Sequence, residues 1–206
     1  MDKDLVIYGA GGMGKECVWI AEDNQLDLKL KAFYDDNKEI SSCSGIPSSE
    51  LLNQNCFILV SVAEPKNKQK IVLQLKEAYR FSNLISNSAQ IHKSSKLGLG
   101  CIVGFECIIS VDVQVSNHCL INARTIIGHD SILGNYVSLM YNVSISGNVS
   151  IGEGTLIGTG AVILPNIKIG KWCKIGAGAV VTKDIPDYSV VVGVPGKVIK
   201  QIAIHE

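Results

Sequence analysis

Aliphatic side chains recur at a strict six-residue interval through the second half of this chain, from Ile91, Leu97, Val103 and Ile109 to Ile163, Ile169, Ile175 and Val181, with no slip in register. Neither a 3.6-residue helix nor an alternating strand has a period of six, whereas a parallel β-solenoid of very short strands does. Four residues after each aliphatic comes a small or modest apolar side chain, such as Cys101, Cys107, Cys119, Thr125, Val137, Ala161 and Cys173. That position lies two residues before the next aliphatic, and strand side chains two apart share a face, so both sets are expected inside. Three six-residue sides make one eighteen-residue coil, and the register predicts about five coils stacked into a triangular prism. Glycine often follows the aliphatic, as at Gly98, Gly104, Gly128 and Gly152. The expectation there is a turn that needs positive φ.

The 206 residues leave room for one or two domains, and 19 basic residues balance 19 acidic ones. With no basic block, the electrostatic footprint of a nucleic-acid binder is absent. The opening Met1-Asp2-Lys3-Asp4 runs into a short apolar strand that reads neither as a signal peptide nor as a membrane span. A cytoplasmic protein without membrane insertion is expected. Seven cysteines form no CxxC pair, and Cys101, Cys107, Cys119 and Cys173 occupy the small inward position of the repeat. They read as reduced core filler rather than as a metal or disulfide framework.

The first ninety residues follow a different pattern. LVIY, LKLKAFY and CFILVSV read as strands, KECVWIAED and the segment 66–80 as helices, the second with Ile71, Leu75 and Tyr79 on one side. This is a small α/β unit, about half of a doubly wound sheet, with a joint over 81–90. The domain boundary is set at 1–85 and 86–206. Between the first strand and helix stand Gly9, Gly11 and Gly14 in GxGxxG spacing, and Asp35 and Asp36 follow the second strand. Such a turn lets a pyrophosphate approach a helix N-terminus while an acid takes a ribose or base. A sugar nucleotide, a nicotinamide cofactor lacking its second half-site, and a purely structural turn all fit these residues.

The hexapeptide repeat, the run GNVSIGEGTLIGTGAVILPNIKIG and the closing VVGVPGK together resemble the left-handed β-helix acyltransferases that use acetyl-CoA. With YGAGGMG and FYDD added, the chain resembles the bacterial sugar-nucleotide N-acetyltransferases of the bacillosamine and perosamine type, with the sialic acid O-acetyltransferases beside them. The resemblance implies a Rossmann-like N-terminal half domain before a left-handed parallel β-helix. It also implies a homotrimer with sites between prisms, acetyl-CoA as cosubstrate with no metal, and a nucleotide-linked amino sugar as partner.

Acetyl transfer to an amine or hydroxyl needs a base and an oxyanion donor, which a histidine and a backbone N–H supply. His118 and His129 lie in solenoid turns and are expected to point outward; His92 and His205 read as bystanders. The segment INARTIIGHDSILG resembles the family's catalytic stretch, which makes His129 the base, Asp130 its acid partner and Asn122 a residue that arranges the site. Gly147, one coil above His129, would offer its N–H to an oxyanion. For acetyl-CoA the resemblance implies Thr159 and Ala177 on one prism edge, Lys197 near a phosphate, and Ser138 where some relatives place histidine. For the sugar nucleotide it implies Gly11, Gly12, Met13, Asp35, Asp36 and Ala63. Met13 stands where relatives carry histidine, and Ala63-Glu64 replaces a glycine followed by Asn or Asp. The expected activity is N-acetylation of a 4-amino sugar on a nucleoside diphosphate; the alternative is O-acetylation of sialic acid or another sugar hydroxyl. A non-catalytic nucleotide-binding solenoid is the reading from a different class.

Overall fold

In a computed structural model of the chain, residues 3–24, 28–37, 56–76 and 80–202 are described. The N-terminal unit runs β1 (Lys3–Tyr8), α1 (Gly12–Asp23), β2 (Leu28–Tyr34), β3 (Cys56–Val60) and α2 (Pro65–Leu75). Its three strands are parallel in the order β2-β1-β3. The sequence reading of α2 ran to residue 80, whereas the helix ends at Leu75 and Tyr79 lies outside the described residues. Glu64 caps this helix, its carboxylate accepting from the Lys66 N–H at 2.9 Å, and Pro65 fills the first helical position, where no N–H is needed.

The solenoid builds three parallel sheets, and each strand pairs with the strand eighteen residues on, as Leu120 with Ser138 and Ile126 with Ser144. The first face carries Leu84–Ile85, Ile102–Val103, Leu120–Ile121, Ser138–Leu139, Leu156–Ile157 and Lys174–Ile175, closed by Ser189–Val192 and an antiparallel Lys197–Gln201. The second face runs from Gln90–Ile91 to Val180–Val181 and the third from Lys96–Leu97 to Lys168–Ile169. The second face holds six strands where about five coils were expected, and the first face starts one step earlier, since Ile85 already obeys the six-residue interval. At the far end the register shortens, with Lys174 opposite Val190 and Ile169 opposite Ile185.

Both inward sets are buried as the period requires, from Val103, Ile127 and Leu139 to Cys101, Val137 and Ala161, each at 0% exposure. The inward thiols satisfy themselves locally: Cys101 donates to Ser116 O at 3.2 Å and Cys107 to Asn122 O at 3.1 Å. The expectation of positive φ at the glycine after the aliphatic fails. Positive φ falls two residues later, on Glu106, Asp112, His118, Arg124, Asp130 and their successors every six residues. The glycine is instead required by close approach: a Cβ on Gly128 would stand 2.6 Å from Gly147 N of the next coil.

The N-terminal unit seats itself on the first face. Leu84, Ile102 and Leu120 point outward there yet are 1–2% exposed, because they pack against Leu5, Ile7 and Leu59 of the sheet and Cys17 and Ile20 of α1. Each fully buried aliphatic of this kind contributes about 1.5–3 kcal/mol, so the seam is firm. Asn24, just past α1, fastens the first coil by donating to Ile85 O at 2.5 Å and accepting from the Asn87 N–H at 2.7 Å. The opposite side of the sheet packs Val6, Ile58 and Val60 against Ile71, Val72 and Leu75 of α2.

Candidate active site

The edge between the second and third faces presents His129 and Asp130. Asp130 takes the left-handed conformation of the turn, φ 58°, which lets its carboxylate fold back on the preceding imidazole. His129 Nδ1 lies 2.7 Å from Asp130 Oδ2, with the two side chains 65% and 59% exposed. An Nδ1–H donated to that carboxylate leaves Nε2 with its lone pair free, the tautomer a base needs. The Asn148 N–H clamps the His129 carbonyl at 2.7 Å. The imidazole lies across Gly147 of the next coil: a Cβ there would stand 2.5 Å from Nε2 and 2.6 Å from Cε1. Among the described residues the Gly147 N–H donates to no group. A lone pair and an unused donor therefore sit together on one exposed corner.

Asn122, Thr159 and Ala177 lie on a different edge, between the first and second faces. Thr159 and Ala177 stack one coil apart, and their N–H groups donate to nothing among the described residues. Gly160 and Gly178 beside them face open space, with nothing within 4 Å of an added Cβ. The result is a strip of backbone opened by two bare glycines, with donors at intervals of one coil. Asn122 is 3% exposed; its amide N reaches Met13 Sδ at 3.9 Å and its Oδ1 accepts from the Ala123 N–H at 2.8 Å. The glycine turn at the head of α1 thus meets the solenoid at Asn122.

At the C-terminal ends of β1, β2 and β3 opens a pocket of about 270 Å³ lined by Tyr8, Gly9, Asp35, Asp36 and Lys70. Asp35 is fixed by the Ala10 N–H at 2.7 Å and the Asn37 N–H at 2.9 Å, and Asp36 accepts from the Tyr8 hydroxyl at 2.5 Å. Burial and then this bond to Asp36 raise the Tyr8 pKa, so the phenol remains a donor. Gly9 needs its φ of 109° and its bare Cα, since a Cβ would stand 2.8 Å from Ser61 Oγ. Gly11 and Gly12 open α1 with no side-chain cap, leaving the first N–H groups of the helix to an incoming anion. Ala63 packs with Met13 against the seam, and Glu64 pairs with Lys174 Nζ at 2.9 Å, which ties α2 to the solenoid.

Three expected positions lie elsewhere. Ser138 is 0% exposed beneath α2, where its Oγ accepts from Lys68 Nζ at 2.9 Å, and it offers no surface to a ligand. Lys197 is exposed on the last strand. His118, expected to point outward, is buried to 8% exposure against Phe81, edge-on at 4.6 Å, and Tyr136, stacked at 5.5 Å. Its Nδ1 has no partner, and burial followed by the nearby Lys68 charge lowers its pKa to about 4. His92 is a surface residue bonded to Ser94 Oγ at 2.9 Å, and His205 lies outside the described residues. The sequence reading missed Lys68, which α2 buries and which also donates to His118 O at 3.1 Å. Burial lowers its pKa to about 8. The signal was its spacing, since Lys68 takes a place in the inward stripe with Ile71, Val72 and Leu75.

Comparison with known proteins adds to this geometry. Residues 148–183 match the family described as bacterial transferase hexapeptide (six repeats), and residues 4–75 match the PglD N-terminal domain. The structure of PerB from Caulobacter crescentus, in complex with CoA and GDP-perosamine, superposes with a TM-score of 0.89 at 26% identity, covering 97% of this chain and 99% of that one. The acetyltransferase domain of PglB from Neisseria gonorrhoeae gives 0.87 at 27% identity, over 96% of this chain and 100% of that one. This protein is an acetyltransferase. No curated protein sequence matches it. WeeI from Acinetobacter baumannii shares the acetyltransferase's fold, with a TM-score of 0.84 at 24% identity over 96% of this chain and 100% of that one. The solenoid of the acetyltransferase is a left-handed parallel β-helix. This handedness departs from the usual right-handed crossover.

Proposed function

We propose that the enzyme transfers the acetyl group of acetyl-CoA to the 4-amino group of a sugar carried on a nucleoside diphosphate, with His129 as general base. The observation that carries this reading is the corner where His129 Nε2 lies over Gly147 while Nδ1 is held by Asp130 at 2.7 Å. Two related structures support the substrates: the PerB structure contains CoA and GDP-perosamine, and a second PglB acetyltransferase-domain structure contains acetyl coenzyme A. In this reading the amine nitrogen attacks the thioester carbonyl carbon and gives its proton to His129 Nε2. The oxyanion faces the Gly147 N–H. Collapse breaks the C–S bond, and the departing thiolate takes the proton from the imidazolium. Asp130 holds the tautomer and steadies the imidazolium.

Thr159 and Ala177 supply backbone donors to the pantetheine amides, with Lys197 near a CoA phosphate. The pocket at Asp35 and Asp36 takes the nucleoside, and Gly11, Gly12 and Met13 the diphosphate and sugar. Because His129 and Gly147 occupy one edge and Asn122, Thr159 and Ala177 another, a complete site forms when the edge of a second copy faces this one. A homotrimer meets that need. Ile108 and Ile126, 40% and 44% exposed on the face between the two edges, provide apolar surface for the contact. The reaction belongs in the cytoplasm, where acetyl-CoA and sugar nucleotides are found together.

The test is product mass spectrometry on a panel of 4-amino sugar nucleotides, hydroxyl analogues and free sialic acids with acetyl-CoA. The expected result is one added acetyl on the amine, with His129→Ala two to four decades slower while still binding acetyl-CoA. Acetylation of the hydroxyl acceptors alone would replace this reading with the O-acetyl one.

A further inference from the structure

The first–second edge carries a carboxylate that the proposed mechanism leaves unused. Tyr141 stands in the same column as Thr159 and Ala177, eighteen and thirty-six residues before them, and its hydroxyl donates to Glu16 Oε1 of α1. The Asn122 amide faces the same hydroxyl. Glu16 is one helical turn after Met13, which itself touches Asn122. The carboxylate is therefore held by the solenoid at the place where the glycine turn of the N-terminal unit meets the strip of free backbone N–H groups. Burial raises the Tyr141 pKa and the bond to Glu16 adds to the shift, so the hydroxyl stays protonated and donating at neutral pH. One Tyr–OH bond occupies one of about four acceptor positions on a carboxylate, which leaves Oε2 free to bind a cation.

We propose that Glu16 is the specificity-determining residue of this site, a fixed anion that receives the acceptor as an ammonium ion and favours an amine over a hydroxyl. The inference rests on the N-acetyltransferase reading above. A primary amine on a sugar is largely protonated near neutral pH, so a site that binds it must first accommodate a positive charge. A neutral hydroxyl gives the carboxylate a hydrogen bond assisted by the acceptor's charge alone, whereas an ammonium adds the attraction between two opposite charges. The bound ammonium gives one proton to solvent water and so becomes nucleophilic. The amine then forms the C–N bond as the C–S bond breaks, and its second departing proton passes through His129 to the CoA thiolate. Glu16 forms no covalent bond and acts by binding and orientation.

Glu16→Gln is the test, because the amide oxygen still accepts from Tyr141 while the charge is gone. The measurement is kcat and KM for a 4-amino sugar nucleotide and its 4-hydroxy counterpart, with KM for acetyl-CoA as control. The expected result is a ten- to hundredfold rise in KM for the amine, the loss of a charge-assisted hydrogen bond. KM for acetyl-CoA should be unchanged and the amine preference narrowed. Glu16→Asp should recover part of the loss. Unchanged KM and selectivity in Glu16→Gln would overturn the proposal. So would Glu16→Gln and Tyr141→Phe lowering thermal stability alike without touching selectivity, since that would make the pair structural. If the wild type acetylates no amine acceptor in the panel, the underlying function fails instead, and the two failures are told apart by the wild-type control.

Discussion

Replacing Gly147 with alanine isolates the position of one ring. The added Cβ would stand 2.5 Å from His129 Nε2 and 2.6 Å from Cε1, whereas ordinary contact begins at 3.4 Å. The imidazole must therefore retreat by about 1 Å, a displacement of the size that costs on the order of a hundredfold in rate. In retreating it also loosens the 2.7 Å contact of Nδ1 with Asp130. Little else should change. Gly147 is not among the glycines at positive φ, so alanine fits its backbone, and its carbonyl still accepts from the Asn166 N–H at 3.1 Å. The N–H assigned to the oxyanion remains as well. We expect kcat to fall about a hundredfold, equivalent to about 2.7 kcal/mol of barrier, with KM for acetyl-CoA and the melting temperature nearly unchanged. Release of free CoA thiol under steady-state conditions is the assay. The double variant with His129→Ala should be no slower than His129→Ala alone, because residues that act as a unit are not additive. Wild-type turnover in Gly147→Ala would refute the placement of the base over this glycine.

Asp36→Ala should raise KM for the sugar nucleotide about ten- to a hundredfold and leave acetyl-CoA binding unchanged by calorimetry; Tyr8→Phe controls for the hydroxyl that Asp36 accepts at 2.5 Å. Co-assembly of inactive His129→Ala and Asn122→Ala chains should restore about a quarter of wild-type activity if each site draws these residues from two copies of a trimer; no recovery would place both in one chain's site. His118, whose pKa falls from 6.5 to about 4 on folding, binds its proton more readily when unfolded. Its contribution is complete above pH 6.5 and is lost as pH falls toward 4, by up to about 3 kcal/mol. Urea midpoints at pH 7 and pH 5 should differ accordingly, and His118→Phe should flatten that difference.

The solenoid was legible because its period is a property of the core: every sixth side chain must be apolar, and the sixteen positions from Ile91 to Val181 satisfy this without reference to anything outside the repeat. The same logic misassigned the glycines. A glycine in sequence records only that a Cβ is unwelcome, and positive φ and close approach leave the same mark. The structure separates them, putting positive φ on Asp112, Arg124 and Trp172 while a Cβ on Gly128 or Gly158 would meet the next coil at 2.6 Å. Asp112, Arg124 and Trp172 adopt the left-handed region because the coil geometry demands it at every corner, and local residue preference yields to stacked parallel hydrogen bonds.

The two solenoid histidines show why the period alone does not locate a site. It places both His118 and His129 on corners, and a corner is solvated only where nothing else docks. The N-terminal unit covers the edge that bears His118, with Phe81 against the ring and Lys68 bound to its carbonyl, and leaves the edge of His129 bare. That outcome depends on Leu84, Ile102 and Leu120, the three apolar residues that face outward from one sheet and are covered there. On the second face the corresponding outward positions include Ile108 and Ile126, which remain 40% and 44% exposed. Among the described residues the N-terminal unit covers the outward aliphatics of the first face alone, and Ile132 on the third face is likewise left 47% exposed. The second face separates the His129 corner from the edge of Asn122, Tyr141, Thr159 and Ala177. Its exposed isoleucines and the division of the candidate residues between its two borders are the two features on which the proposed trimer rests, and the co-assembly experiment tests both at once.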